Sequence, residues 1–190
     1  MKKLLILDFE SKFTQMIVNT LEELKINYEL VKHDYDFSNV DDSVKGIILT
    51  GSHDTVYSGG RRCQSEFIKS KIPVLGICYG HQLVNDEFNG EVRKAVVAEN
   101  DIEVEITIDV DNPLFDGMNR KQKVAMFHYD EVVKLGDGFI CLAHGENCKH
   151  AASYNKEYNI YSLQYHPESD KYGDYHSAYF VNFAKICKII

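Results

Sequence analysis

The chain opens on an unbroken apolar run, Leu4-Leu5-Ile6-Leu7, set between Lys3 and Asp8. That pattern predicts a strand over 3–7 buried on both faces. From Lys12 to Leu24 the period changes, and Phe13, Met16, Ile17, Thr20, Leu21 and Leu24 recur at the spacing of a helix. The runs "YELVK" (28–32) and "KGIILT" (45–50) predict two more strands, the second ending at Gly51. "SEFIKS" (65–70) predicts a short helix, "IPVLGI" (72–77) a fourth strand, and "YGHQLVNDEF" a helix directly behind it. Strand and helix alternate throughout this half. Alternation requires crossover connections, hence a parallel sheet with helices on both faces.

The second half changes character. "DIEVEITI" (101–108) alternates apolar and acidic residues, the mark of a strand with one wet face. "QKVAMFH" (122–128), "GFICLAH" (138–144) and "NIYSLQYH" (159–166) predict further strands. A terminal helix is predicted from about Tyr175 to Lys188, with Tyr179, Phe180, Phe183, Ala184, Ile186 and Cys187 turned inward. No repeat, low-complexity tract or linker interrupts the pattern. One α/β domain over 1–190 with a mixed sheet is expected.

Composition narrows the partners. Of 190 residues, 44% are hydrophobic, enough for a core and against disorder. The net charge of −8 disfavours nucleic acid and directs attention to small molecules and proteins. Five cysteines, at 63, 78, 141, 148 and 187, are an odd number without a CxxC pair. Reduced thiols in a cytoplasmic protein are expected rather than a disulfide scaffold. The start "MKKLLILDFE" has a signal-like charge and apolar run, but Asp8 and Glu10 follow at once, so strand one is the better reading. No apolar segment is long enough to span a membrane.

In open α/β sheets, reactive groups gather at the carboxyl ends of the strands. Three segments end there with chemistry attached: Thr50-Gly51-Ser52, Gly76-Ile77-Cys78-Tyr79-Gly80, and Gln164-Tyr165-His166-Pro167-Glu168. The pattern G-x-C-x-G is the cysteine counterpart of a nucleophile elbow, in which small residues two before and two after let backbones approach. The helix behind it points a partial positive charge at the sulfur and favours thiolate. His166 is the candidate base, and Glu168 the group that orients it. Taken singly, each segment has a plainer reading. A cysteine at a strand end is ordinarily a small buried hydrophobe, a histidine before proline a loop residue, and "GSHD" a turn. Their coincidence in one α/β pattern favours the catalytic reading.

With those residues in place the chain resembles the class I glutamine amidotransferases, built on a Cys-His-Glu triad. "PVLGICYGHQL" and "QYHPE" match that family's two most specific motifs, and the likeness runs across nearly the whole chain. "HYDEVVKLGDGF" (128–139), "ILTGSHDTVYSGG" and the stretch from "HPESDKYG" to "NFAKIC" resemble the GMP synthase glutaminase type. The resemblance implies a flavodoxin-like open mixed, mainly parallel sheet with helices on both faces. It implies Cys78 as nucleophile toward the side-chain amide of L-glutamine, His166 as proton carrier and Glu168 as its support. The oxyanion would be met by backbone N–H groups of Gly51 and Tyr79. Gln82 would contact the substrate, and backbone at Phe127 and His128 would bind its α-amino and carboxylate ends. No cofactor is implied in this chain. ATP and magnesium would belong to a separate ATP-pyrophosphatase synthetase subunit that receives the ammonia.

Three positions depart from the family pattern. Ser52-His53 replaces Gly-Pro in the oxyanion loop. Asn100 and Asp101 follow Glu99 where an aromatic residue and glycine are usual. Gly136 stands for a proline, which suggests a loosened turn. The first two support a runner-up, a stand-alone hydrolase of γ-glutamyl amides or peptides. A third reading, a regulatory homologue without turnover, is opposed by the intact Cys78, His166 and Glu168. Elsewhere, His144, Cys148 and His150 offer metal-type ligands without a second set at finger-like spacing. Arg61 and Arg62 read as a solvated helix start, with an anion or acidic-partner contact as the sharper alternative. The acidic strand 99–109 reads as a solvated face.

Overall fold

The structure, a computed structural model, describes residues 1–190. Its centre is one nine-stranded sheet. In chain order the elements are β1 (Lys3–Asp8), α1 (Thr14–Glu23), β2 (Tyr28–Lys32), β3 (Val44–Leu49), α2 (Glu66–Lys69), β4 (Val74–Ile77) and α3 (Tyr79–Glu87). Then come β5 (Glu91–Ile108), β6 (Lys121–Lys134), β7 (Phe139–Gly145), β8 (Ala152–Asn155), β9 (Ile160–Leu163) and α4 (His176–Ile186). The strand order is β2-β1-β3-β4-β9-β8-β7-β5-β6. The first five strands pair in parallel, and the remainder extends the sheet antiparallel. This is the expected open mixed, flavodoxin-like sheet.

The pleat of β1 explains the layering. Leu4 and Ile6 point into a cluster of 29 buried residues that includes Ile17 and Leu21 of α1 and Phe180 and Phe183 of α4. Leu5 and Leu7 point into a cluster of 17 that includes Phe67 of α2 and Leu83 and Val84 of α3. Alternate side chains of one strand therefore feed the two faces, and both are covered. Strand order reverses between β1 and β3, so the chain leaves their carboxyl ends towards opposite faces of the sheet, α1 on one and α2 on the other.

The antiparallel half differs from its prediction in three ways. β8 has no apolar signature. Its buried Ser153 is kept by Ser162 of β9, with the two hydroxyl oxygens 2.7 Å apart. β5 begins at Glu91, ten residues before the predicted strand, and pairs with β6 through an irregular register. Lys94 faces Asp130 and Glu99 faces His128, so Ala95 to Ala98 bulge outward opposite Tyr129, and Val96 is 95% exposed. β9 stops at Leu163 instead of running to 166. Beyond it the chain crosses the top of the sheet, where Gln164 N–H donates to Ala151 O and His166 N–H to Ala125 O, each at 2.9 Å.

Candidate active site

Cys78 sits between β4 and α3 with φ 53° and ψ −101°, a left-handed conformation a non-glycine residue adopts only under constraint. The two glycines of G-x-C-x-G permit it. A Cβ at Gly76 would stand 2.6 Å from Gly80 O, and one at Gly80 would stand 2.4 Å from Leu49 O. Small residues are thus required by backbone approach on both sides, as the motif predicts. Cys78 N–H donates to Leu163 O at 2.7 Å and ties the elbow to β9.

A cavity of about 570 Å³ opens over this elbow. Cys78, Gln82, Phe127, His128 and His166 all line it, so five sequence-predicted residues from three segments converge. Glu168 stands behind His166, whose Nδ1 donates to Glu168 Oε1 at 2.7 Å. That bond leaves Nε2 as the free ring nitrogen. Burial would lower the imidazole pKa, but the Glu168 carboxylate and Cys78 outweigh it and raise it to about 10.

The resting sulfur makes two polar contacts: the thiol donates to Phe127 O at 3.8 Å, and Gln164 Nε2 donates to Sγ at 3.7 Å. Gly51 faces the same point. A Cβ there would lie 3.1 Å from His166 Cε1 and 3.7 Å from Cys78 Cβ. Tyr79 is the first residue of α3, where backbone N–H groups have no intrahelical acceptor. Gly51 and Tyr79 therefore flank the elbow from two strand ends. Ser52 has no left-handed φ, so its side chain imposes no strain on the loop. Its Oγ accepts from Asp54 N–H at 3.2 Å.

Several residues at the site were not singled out from sequence. Phe13 reads as helical core, yet its ring lies 4.4 Å from that of His166, with Phe127 at 5.6 Å beside it. The two rings, 4.7 Å apart, form one aromatic wall against the imidazole. Asp130 lines the cavity, and its Oδ1 accepts from Tyr57 OH at 2.8 Å, closing a link between the loop after β3 and β6. Arg61 and Arg62 are not a helix start, since α2 begins at Glu66. Arg61 bonds both Asp54 and Glu10, and Arg62 bonds Asp86, so the pair ties down the loop beside the cavity. Tyr79 OH fixes the same loop by donating to Arg61 O at 2.6 Å.

Two further expectations are corrected. Glu99 is not part of the solvated face. It is buried, with Oε2 3.5 Å from His128 Nε2 and Oε1 accepting from Asn147. Glu103 and Glu105 do face outward and pair with Lys123 and Lys121. Gly136 is not a loosened turn. Its N–H donates to Asn85 Oδ1 at 3.1 Å, and a Cβ would stand 2.7 Å from Asn85 O. The three metal-type residues go separate ways: His144 is exposed and bonded to Asp109, while Cys148 and His150 are buried. The four cysteines other than Cys78 have thiol pKa values raised mainly by burial, Cys63 to about 12.

Against known proteins, the class-I glutamine amidotransferase family profile matches residues 5–186. A GMP synthase [glutamine-hydrolyzing] of Lactobacillus johnsonii is 38% identical over 97% of this chain, which spans 36% of that protein. In Methanosphaera stadtmanae, a protein named as one subunit of a GMP synthase [glutamine-hydrolyzing] is 35% identical, with 93% of this chain and 94% of that protein covered. The chain thus spans about a third of the first relative and nearly all of the second. Among solved structures, a candidate GMP synthase subunit from Thermoplasma acidophilum superposes with a TM-score of 0.89 at 28% identity, covering 99% of this chain and 94% of that one. A glutamine amidotransferase of Thermotoga maritima shares the fold at 15% identity, with a TM-score of 0.75 over 98% of this chain and 82% of that one.

Proposed function

The chain belongs to the class-I glutamine amidotransferase family, and from that premise we propose that it hydrolyses L-glutamine and passes the ammonia to a separate synthetase subunit of GMP synthase type. The observation that carries this reading is the convergence of Cys78 and His166 on one cavity, with Glu168 bonded behind the imidazole.

The chemistry follows from those positions. The Cys78 thiolate attacks the side-chain amide carbon of glutamine, and the amide oxygen becomes an oxyanion facing the N–H groups of Gly51 and Tyr79. The imidazolium of His166 gives its proton to the departing nitrogen, and ammonia leaves a γ-glutamyl thioester. His166, now neutral, takes a proton from water as the water attacks the thioester. Glutamate leaves and the thiolate–imidazolium pair is restored. Glu168 keeps the ring oriented throughout and stabilises its charged form. Gln82 and the backbone at Phe127 and His128 are the proposed contacts to the rest of the substrate. ATP and magnesium act on the partner, an ATP-pyrophosphatase converting xanthosine monophosphate to GMP. The names of the relatives support that partner, as does the length shared with the Methanosphaera protein, which is itself named as one subunit of a larger enzyme.

The test is glutamate release from glutamine by the purified chain, alone and with a GMP synthetase subunit, ATP, magnesium and xanthosine monophosphate. Strong stimulation by the complete mixture is expected. Rapid turnover of γ-glutamyl peptides, with little activity on glutamine and no response to the partner, would overturn it.

A further inference from the structure

Gln164 is fully buried directly beneath the elbow, outside the roles assigned so far. Its amide sits in a chain of three links. Gln82 Nε2 donates to Asp130 O at 2.9 Å and to Gln164 Oε1 at 3.3 Å, and Gln164 Nε2 donates to Cys78 Sγ at 3.7 Å. An amide side chain can ordinarily be turned either way round, because its oxygen and nitrogen ends are nearly equal in shape. Here the direction is set from one end. A backbone carbonyl such as Asp130 O only accepts, so Gln82 must present its NH2 to it. The same NH2 meets Gln164, which must then present its oxygen. The NH2 of Gln164 is left facing the sulfur.

From this polarity we propose that Gln164 is a further catalytic residue, a fixed donor that stabilises the Cys78 thiolate, with Gln82 as the residue that locks its orientation; this rests on the reading of Cys78 as nucleophile. The sulfur then has two stabilising partners of different kinds. His166 is charged and moves protons. Gln164 is neutral, has no proton to lose, and acts the same way at every stage of the cycle. Its donor favours the anionic sulfur over the neutral thiol, because a hydrogen bond to a charged acceptor is stronger than one to a neutral acceptor. It also opposes rotation of Sγ away from the cavity. The separation of 3.7 Å is at the long end for a sulfur acceptor, so the effect belongs at the lower end of the range for charge-assisted bonds.

The experiment measures Cys78 alkylation by iodoacetamide across pH in the full chain, with far-UV circular dichroism on every variant. Gln164→Leu keeps the approximate volume and removes the donor. Its alkylation at neutral pH is expected to slow about tenfold, with the profile displaced to higher pH. Gln164→Glu sets a carboxylate against the sulfur and is expected to be slower still. Gln82→Leu leaves Gln164 in place but frees it to turn, and an intermediate loss of about threefold is expected. The order wild type, Gln82→Leu, Gln164→Leu, Gln164→Glu supports the proposal. Profiles coinciding with wild type in folded Gln164 variants overturn it, and if neither Gln164 variant folds, an unchanged profile in Gln82→Leu does so. Alkylation needs no substrate, so failure here is distinguishable from failure of the glutaminase reading, which wild-type glutamate release decides.

Discussion

At Gly80 the demand for a missing side chain is a matter of tenths of an ångström. An added Cβ would meet the Leu49 carbonyl at 2.4 Å, a clash relieved only by moving α3 away from β3. Gly80→Ala is therefore expected to cost about 1–3 kcal/mol in urea unfolding and to slow Cys78 alkylation, because the elbow moves with the helix. His166 makes a prediction in pH. Its pKa rises from an ordinary 6.5 to about 10 in the folded chain, so folding favours the protonated ring. The stabilisation is complete below 6.5 and drains away as pH climbs towards 10. Thermal melts across that window should show a falling Tm, and Glu168→Gln should flatten the fall by removing the carboxylate. Cys78, His166 and Glu168 were legible from sequence because motif and strand end coincide. Gln164 and Phe13 were not. The direction of an amide depends on what surrounds it in space, and an aromatic ring at helical spacing looks like core whether or not a histidine lies against it.

Among the elements, the parallel half was readable and the antiparallel half much less so. Buried parallel strands such as β3 and β4 announce themselves as apolar runs between turn residues. β8 escaped because its buried Ser153 is satisfied by a neighbouring hydroxyl, a compensation that no single segment displays. β9 ran too long in the prediction because "QYH" continues the β pattern, although only Gln164 extends the pairing, to Ala151, and His166 bonds instead to Ala125 of β6. Asn85 on α3 carries a joint of the same hidden kind. Its amide donates to His81 O and Ser153 Oγ, and its oxygen accepts from Gly136 N–H. Asn85→Ala leaves Gly136 N–H buried without its partner, and a loss of about 1–3 kcal/mol in urea unfolding is expected.

For the molecule as a whole, two apolar clusters grip opposite faces of one sheet, and neither alone holds the strand ends that carry the chemistry. Phe183, fully buried in the larger cluster, packs beside Gly46 of β3 and Tyr161 of β9, towards the amino ends of those strands. Phe183→Ala is expected to cost about 3–5 kcal/mol by urea unfolding, while leaving the alkylation profile of Cys78 unchanged in native buffer. The fold class was legible in the order of periodicities. The depth of the site was not, since the cavity depends on how the loops after β1 and β3 stand against α3 and β6.

The surroundings of the other four cysteines have a practical consequence of their own. Cys148 and Cys187 are buried, Cys63 and Cys141 half-buried, and desolvation raises all four thiols, while Cys78 of the five lines the cavity. Intact mass spectrometry after a brief exposure to a cysteine electrophile should therefore show a single adduct per chain. The fraction of labelled chains becomes a census of competent molecules, allowing any preparation to be standardised by its number of working sites rather than by its total protein.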